Sequence, residues 1–203
     1  EFFHHRGGWL EEGNGIWRTR PEKSGGLFLM EPIHEVDLFR FLAGEIAAVQ
    51  GFAGPRVLSH YRFEDHAGVF FEFRSGAVGF LFTSHTHSAQ TSDPKRWNSD
   101  MGHDMNLIAT FDHGSVGINM LAQKITFNRF EEYPHGSGGV RVMFDRIEDY
   151  EPAGLHAFCH DIGRMRREFI RRLIEGEPPL IPMEDAFQSH RVCFAIEESI
   201  RQN

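Results

Sequence analysis

The 203-residue chain is 40% hydrophobic with 20 phenylalanines, enough apolar side chain to fill the core of one large domain spanning 1–203. Its formal net charge of -8 argues against nucleic acid as the main partner, because phosphate binding needs a concentrated basic surface. Two cysteines without a CxxC pair build no disulfide framework, which fits a reducing compartment such as the cytoplasm. No apolar run reaches the roughly 18 residues of a membrane span.

The chain opens without methionine on EFFHHR, which reads as a strand already under way, so the residues are expected to be part of something longer. The stretch SGGLFLMEPIHEVDLFRFLAGE, residues 24 to 45, is the most informative that follows. Gly25 and Gly26 permit backbone conformations closed to other residues, and the apolar run Leu27 to Met30 then enters the core. Pro32 reads as the first helical position, Leu38, Phe39, Phe41 and Leu42 form an apolar face, and Gly44 stops the helix. Glu31 and His34 therefore fall in or just before the first turn. Unpaired N–H groups and partial positive charge there favour an anion and lower the proton affinity of an imidazole. Two readings of His34 follow: a group placed for proton transfer, or a packed histidine bonded to backbone.

Apolar segments bounded by Gly, Pro, Asp or Ser then predict strands near Ala47 to Phe52, Val57 to Phe63, Gly68 to Phe73, Ala77 to Thr86, Met105 to Phe111, Ser115 to Asn119, Lys124 to Phe130 and Val140 to Ile147. ArgSerGly at 74 to 76 and AspHisGly at 112 to 114 read as hairpin turns, the signal of antiparallel neighbours. Residues 90 to 102, rich in Ser, Asp, Asn and Pro, read as a loop. The period then changes to three and four, giving helices over Leu155 to Glu175 and Glu184 to Arg201. The basic run from Arg164 to Arg172 reads as a solvated helix face laced with Glu168 and Glu175. The fold class is α+β: a large, predominantly antiparallel open sheet with helices packed on one face. The other face is left seeking a partner, so self-association through it is expected.

Several motifs are missing. No GxGxxG follows a strand and opens a helix, so this chain encodes no dinucleotide cradle, and there is no GxxxxGK[ST] loop and no GxSxG elbow. The 13 histidines invite a metal site: His85 and His87 share a face of a predicted strand, and His156 and His160 lie one helical turn apart. Neither pair has a third ligand at a customary distance. No metal ligand is assigned.

The ordered pattern resembles the C-terminal domain of the glucose-fructose oxidoreductase, inositol dehydrogenase and MocA (Gfo/Idh/MocA) family of NAD(P)-dependent oxidoreductases. That family carries a glycine cluster, an apolar run ending in an acidic or amide residue, then a histidine, two residues and an aspartate; here GGLFLMEPIHEVD places Gly25, Gly26, His34 and Asp37 in step. EDHAGVFFEFRSGAVGFL and MNLIATFDHGSVGIN are similar to the family's hairpins, and the segment from FIRRLIEGEPPL to FAIEESI to its closing helices. Trp17 and Arg18 are similar to the segment that leads into the glycine cluster. The resemblance implies that His34 accepts the proton of the reacting hydroxyl, with Glu31 its possible partner, and that Trp17 and Arg18 line the substrate pocket. The family's acid lies four residues before the histidine, where Met30 stands; either Glu31, three before, serves instead, or the acid is absent. NAD or NADP would be held by a preceding Rossmann domain that also brings the family's lysine, so this chain alone is not expected to transfer hydride or to bind the cofactor.

The expectation is the substrate-binding and oligomerising domain of an oxidoreductase acting on a sugar, cyclitol or related polyhydroxy compound. The alternatives are a non-catalytic assembly module derived from that family and, at greater distance, a His-rich metal-dependent hydrolase.

Overall fold

In the computed structural model, described over residues 1–5, 16–86, 104–120, 122–133, 138–150 and 162–203, strand His66–Phe73 sets the two faces of the sheet. Ala67, Val69, Phe71 and Phe73 are buried on one side, while Phe70 and Glu72 are exposed on the other. In chain order the strands are β1 (Phe2–His5), β2 (Ile46–Ala53), β3 (His66–Phe73), β4 (Val78–Ser84), β5 (Asp104–Phe111), β6 (Gly114–Asn119), β7 (Lys124–Glu132) and β8 (Val140–Asp149). The helices are α1 (Pro21–Ser24), α2 (Leu27–Met30), α3 (Ile33–Ala43), α4 (Ile162–Glu175) and α5 (Met183–Gln202), with a 3-10 turn at Ile16–Thr19.

All eight strands join one sheet in the order β2-β3-β4-β1-β5-β6-β7-β8. Two antiparallel meanders, β2 to β4 and β5 to β8, are joined by β1, which runs parallel to β4 and antiparallel to β5. The opening strand expected from EFFHHR is therefore the central one. Its alternation gives Phe2 and His4 to the buried face and Phe3 and His5 to the opposite one. The expected turns at 74 to 76 and 112 to 114 link β3 to β4 and β5 to β6.

α2, α3 and α5 cover the buried face. Phe39 of α3 stands edge-on to Phe71 at 5.3 Å and to Phe2 at 6.4 Å between ring centroids. α5 lies so close along β2 that a Cβ on Gly51 would meet Ile200 Cγ1 at 2.8 Å, so only glycine fits that strand position. The opposite face is open and carries an aromatic row: Phe52 against Phe70 at 5.8 Å, Phe70 against Phe80 at 5.0 Å and Phe80 against Phe3 at 6.0 Å.

Three expectations are corrected. Val57 to Phe63 forms no strand: the buried Asp65 carboxylate takes the N–H groups of Val57 and Leu58, donors that a ladder would need, and Tyr61 and Phe63 both turn into the hydrophobic core. Pro32 is the N-cap of α3 rather than its first helical residue, and Leu27 to Met30 is a short helix of its own. α4 is helical as its period predicts, but Met165, Phe169, Ile170, Leu173 and Ile174 remain exposed. Arg171 pairs with Glu168, Glu175 and Glu177 and Arg172 with Glu168, as the reading of a solvated helix face requires. No described helix is long and apolar enough to cross a membrane. Residues 90 to 102 and the start of the helix expected over Leu155 to Glu175 lie outside the described residues.

Candidate active site

The glycine pair is a joint. Gly25 closes α1 in the left-handed region (φ 87°), and Gly26, at φ 109°, starts α2. A Cβ on Gly26 would lie 2.6 Å from the carboxylate of Glu197, which reaches across from α5 and accepts the Phe28 N–H at 2.7 Å. A distant side chain thus caps α2, doing what a local N-cap residue does elsewhere. Burial raises the Glu197 carboxyl above its ordinary value even though it accepts these backbone N–H groups.

Asp37 ties the next helix to the same partner. Its carboxylate accepts the Ser189 hydroxyl at 2.6 Å, and Ser189 accepts from the buried Arg40 guanidinium at 2.8 Å. Arg40 also donates to Asp185 and Glu45, each at 2.7 Å. The two carboxylates hold its charge against burial, which alone would lower its proton affinity. The motif's glycine and its aspartate are therefore structural, both docking the α2–α3 corner on α5.

His34 is what this corner presents. Its neighbours Pro32, Glu35 and Val36 are buried, while His34 itself is exposed in the first turn of α3 and its N–H donates to Glu31 O at 3.2 Å. It is not the packed histidine of the second sequence reading. Glu31 is the C-cap of α2 and half-buried, joined to His34 through that backbone bond. Trp17 is 40% exposed, with the Arg18 guanidinium 4.8 Å from its ring centroid. Arg18 also donates to the Met30 sulfur at 3.7 Å, so the segment of Trp17 and Arg18 meets α2 one residue before Glu31.

Sequence reasoning missed two buried polar sets. His4 of β1 and Glu35 of α3 face each other at 3.5 Å beneath the sheet, and burial pushes the Glu35 carboxyl up to about 8. Asp65, His66, Tyr61 and His85 form the second: Asp65 accepts from His66 at 2.7 Å, and Tyr61 Oη lies 3.2 Å from His85 Nδ1. His85, expected on a strand face beside His87, lies just past the end of β4 and is buried. The polar residues of apolar-looking strands gave the only local signal for these sets. Among the described residues no three His, Cys, Asp or Glu side chains are placed to hold a metal; His87, His156 and His160 lie outside them.

Residues 2–116 match the model of the GFO/IDH/MocA C-terminal domain. The chain is 29% identical over 185 residues to scyllo-inositol 2-dehydrogenase (NAD(+)) of Bacillus subtilis (strain 168), covering 88% of this chain and 46% of that protein. It is 24% identical over 184 residues to myo-inositol 2-dehydrogenase of Thermotoga maritima, covering 88% and 48%. The chain therefore spans about half the length of the curated relatives it matches. In fold it is similar to levoglucosan dehydrogenase in complex with NADH (TM-score 0.70, 17% identity, 99% of this chain and 56% of that one). A similar likeness holds to an oxidoreductase from Agrobacterium radiobacter in complex with NAD+, L-tartaric acid and magnesium (TM-score 0.69, 16% identity, 98% and 53%). The matched family model spans more than half of the chain and includes the whole glycine-histidine corner, and the chain belongs to the GFO/IDH/MocA C-terminal domain family.

Proposed function

We propose that this chain is the substrate-binding and oligomerising domain of an NAD(P)-dependent oxidoreductase that oxidises a hydroxyl of a cyclitol, sugar or related polyhydroxy compound. The observation that carries the reading is His34, left exposed on a corner whose other motif residues are spent on docking. An imidazole titrating near neutrality suits a proton acceptor for a substrate hydroxyl, and the half-buried Glu31 beside it suits orientation of the ring. Trp17 and Arg18 supply an aromatic face and donors to a polyol at the same corner. The names of the inositol dehydrogenases support the substrate class.

The sequence carries no GxGxxG that follows a strand and opens a helix, the signature of a pyrophosphate cradle. NAD or NADP is assigned to a nucleotide-binding domain in the longer protein. The reducing, cytoplasmic location and the single-domain organisation of 1–203 belong to the same proposal, as does assembly through the open face of the sheet.

The test is an assay of the protein encoded by the complete gene, with inositols and anhydro- or free sugars as substrates and NAD+ or NADP+ as oxidant. Reduction of the nucleotide dependent on one of these polyols is the expected result. Met30 against Arg18, in place of a carboxylate, favours a second reading, an assembly module without catalysis. Absence of turnover with every polyol would leave that one standing.

A further inference from the structure

The segment from 54 to 65 leaves β2 and returns to β3 without joining the sheet, and its course is held from inside. Asp65, fully buried, takes the N–H groups of Val57 and Leu58 and the Nδ1 of His66. Tyr61, also fully buried, packs edge-on against Phe63 at 5.4 Å and His85 at 5.7 Å. The Arg62 N–H donates to Thr19 O at 2.9 Å, which fixes the segment to the 3-10 turn at Ile16–Thr19.

Between the segment and that turn lies a cleft of about 510 Å³. Arg20, Arg56, Arg62, His60 and Ser59 line it. No carboxylate among the described residues pairs with any of the three guanidinium groups, although the chain carries a net charge of -8. Other arginines are compensated, Arg40 by Glu45 and Asp185, Arg146 by Asp145 and Glu148, Arg171 by Glu168 and Glu177. Three guanidinium groups in one concavity, without a carboxylate partner among the described residues, repel each other, and a bound anion relieves that repulsion. Guanidinium donors match the oxygens of phosphate and carboxylate in pairs, and a cleft of this volume suits a small molecule.

We propose that this cleft binds the oxyanion group of a small molecule, a phosphate ester or a multiply carboxylated acid. None of His34, Glu31, Trp17 and Arg18 lines it, although the turn that carries Trp17 and Arg18 forms one wall, and the proposal does not depend on the dehydrogenase reading.

The test is calorimetric titration of the protein with pyrophosphate and with citrate at fixed low ionic strength. Saturable binding of at least one is expected, weakened about tenfold or more by Arg56→Gln and again by Arg62→Gln, since each removes a charge-assisted contact. Both variants keep the backbone bond of Arg62 to Thr19, and unchanged circular dichroism establishes that they are folded. Arg191→Gln, on α5, leaves the affinity unchanged. Tighter pyrophosphate identifies a phosphorylated ligand and tighter citrate a polycarboxylate. No saturable binding of either, or equal affinity in the Arg56→Gln/Arg62→Gln double variant, would overturn the proposal.

Discussion

Glu35 lies next to the exposed His34 in sequence, yet it is 5% exposed and faces His4 of β1, with the Cys193 thiol of α5 near enough to feel its charge. Desolvation moves its carboxyl from an ordinary 4.5 to about 8, so the folded state favours the protonated form. The stability from this group is fully present below about 4.5 and is lost as pH rises through about 8. Urea unfolding between pH 5 and 8 should show stability falling at up to about 1.4 kcal/mol per pH unit, and Glu35→Gln should flatten that slope. An equal slope in the variant would place the titration elsewhere. Glu197→Ala should cost about 1–3 kcal/mol, because the buried Phe28 N–H loses its acceptor. Part of this was legible in the sequence: Gly25 and Gly26 declared an unusual backbone, and both have positive φ. That Glu197 fills the space over Gly26 was not, since 169 residues separate Glu197 from the N–H it caps.

The helices show how far periodicity reaches at the scale of an element. α3, α4 and α5 all occur where three-and-four spacing places them, because an apolar stripe is a property of local sequence. Which stripe is buried depends on a partner: α5 buries Cys193, Ile196 and Ile200, whereas Met165, Phe169, Ile170, Leu173 and Ile174 of α4 stay exposed. A 14-residue helix whose apolar side chains stay exposed is marginal in water, and α4 is supported among the described residues by the carboxylates around Arg171. Amide hydrogen exchange should therefore be faster throughout α4 than in the centre of α5. Equal protection would mean that α4 is packed against something. The loop from Val57 to Phe63 shows the opposite failure. Its alternation of buried and exposed residues imitates a strand, and only the Asp65 carboxylate, taking the backbone donors, reveals otherwise.

For the whole molecule, hairpin turns made the two meanders legible, because each strand pairs with its neighbour in sequence. The insertion of β1 between them was not, since no local feature says that a first strand will pair 79 and more residues away. The result is an eight-stranded sheet with one face covered and one open, the latter exposing Phe70, Val142 and Phe144. Sedimentation should give a mass above that of the monomer at micromolar concentration, and Val142→Glu with Phe144→Glu should shift it towards the monomer. A monomeric parent would contradict assembly through this face. The central claim rests on His34, a motif side chain presented to solvent. In the protein encoded by the complete gene, His34→Ala should lower kcat/KM for polyol oxidation by about 10²–10⁴ while leaving urea unfolding unchanged, as for loss of a general base at an exposed position. Full activity in that folded variant would contradict the account.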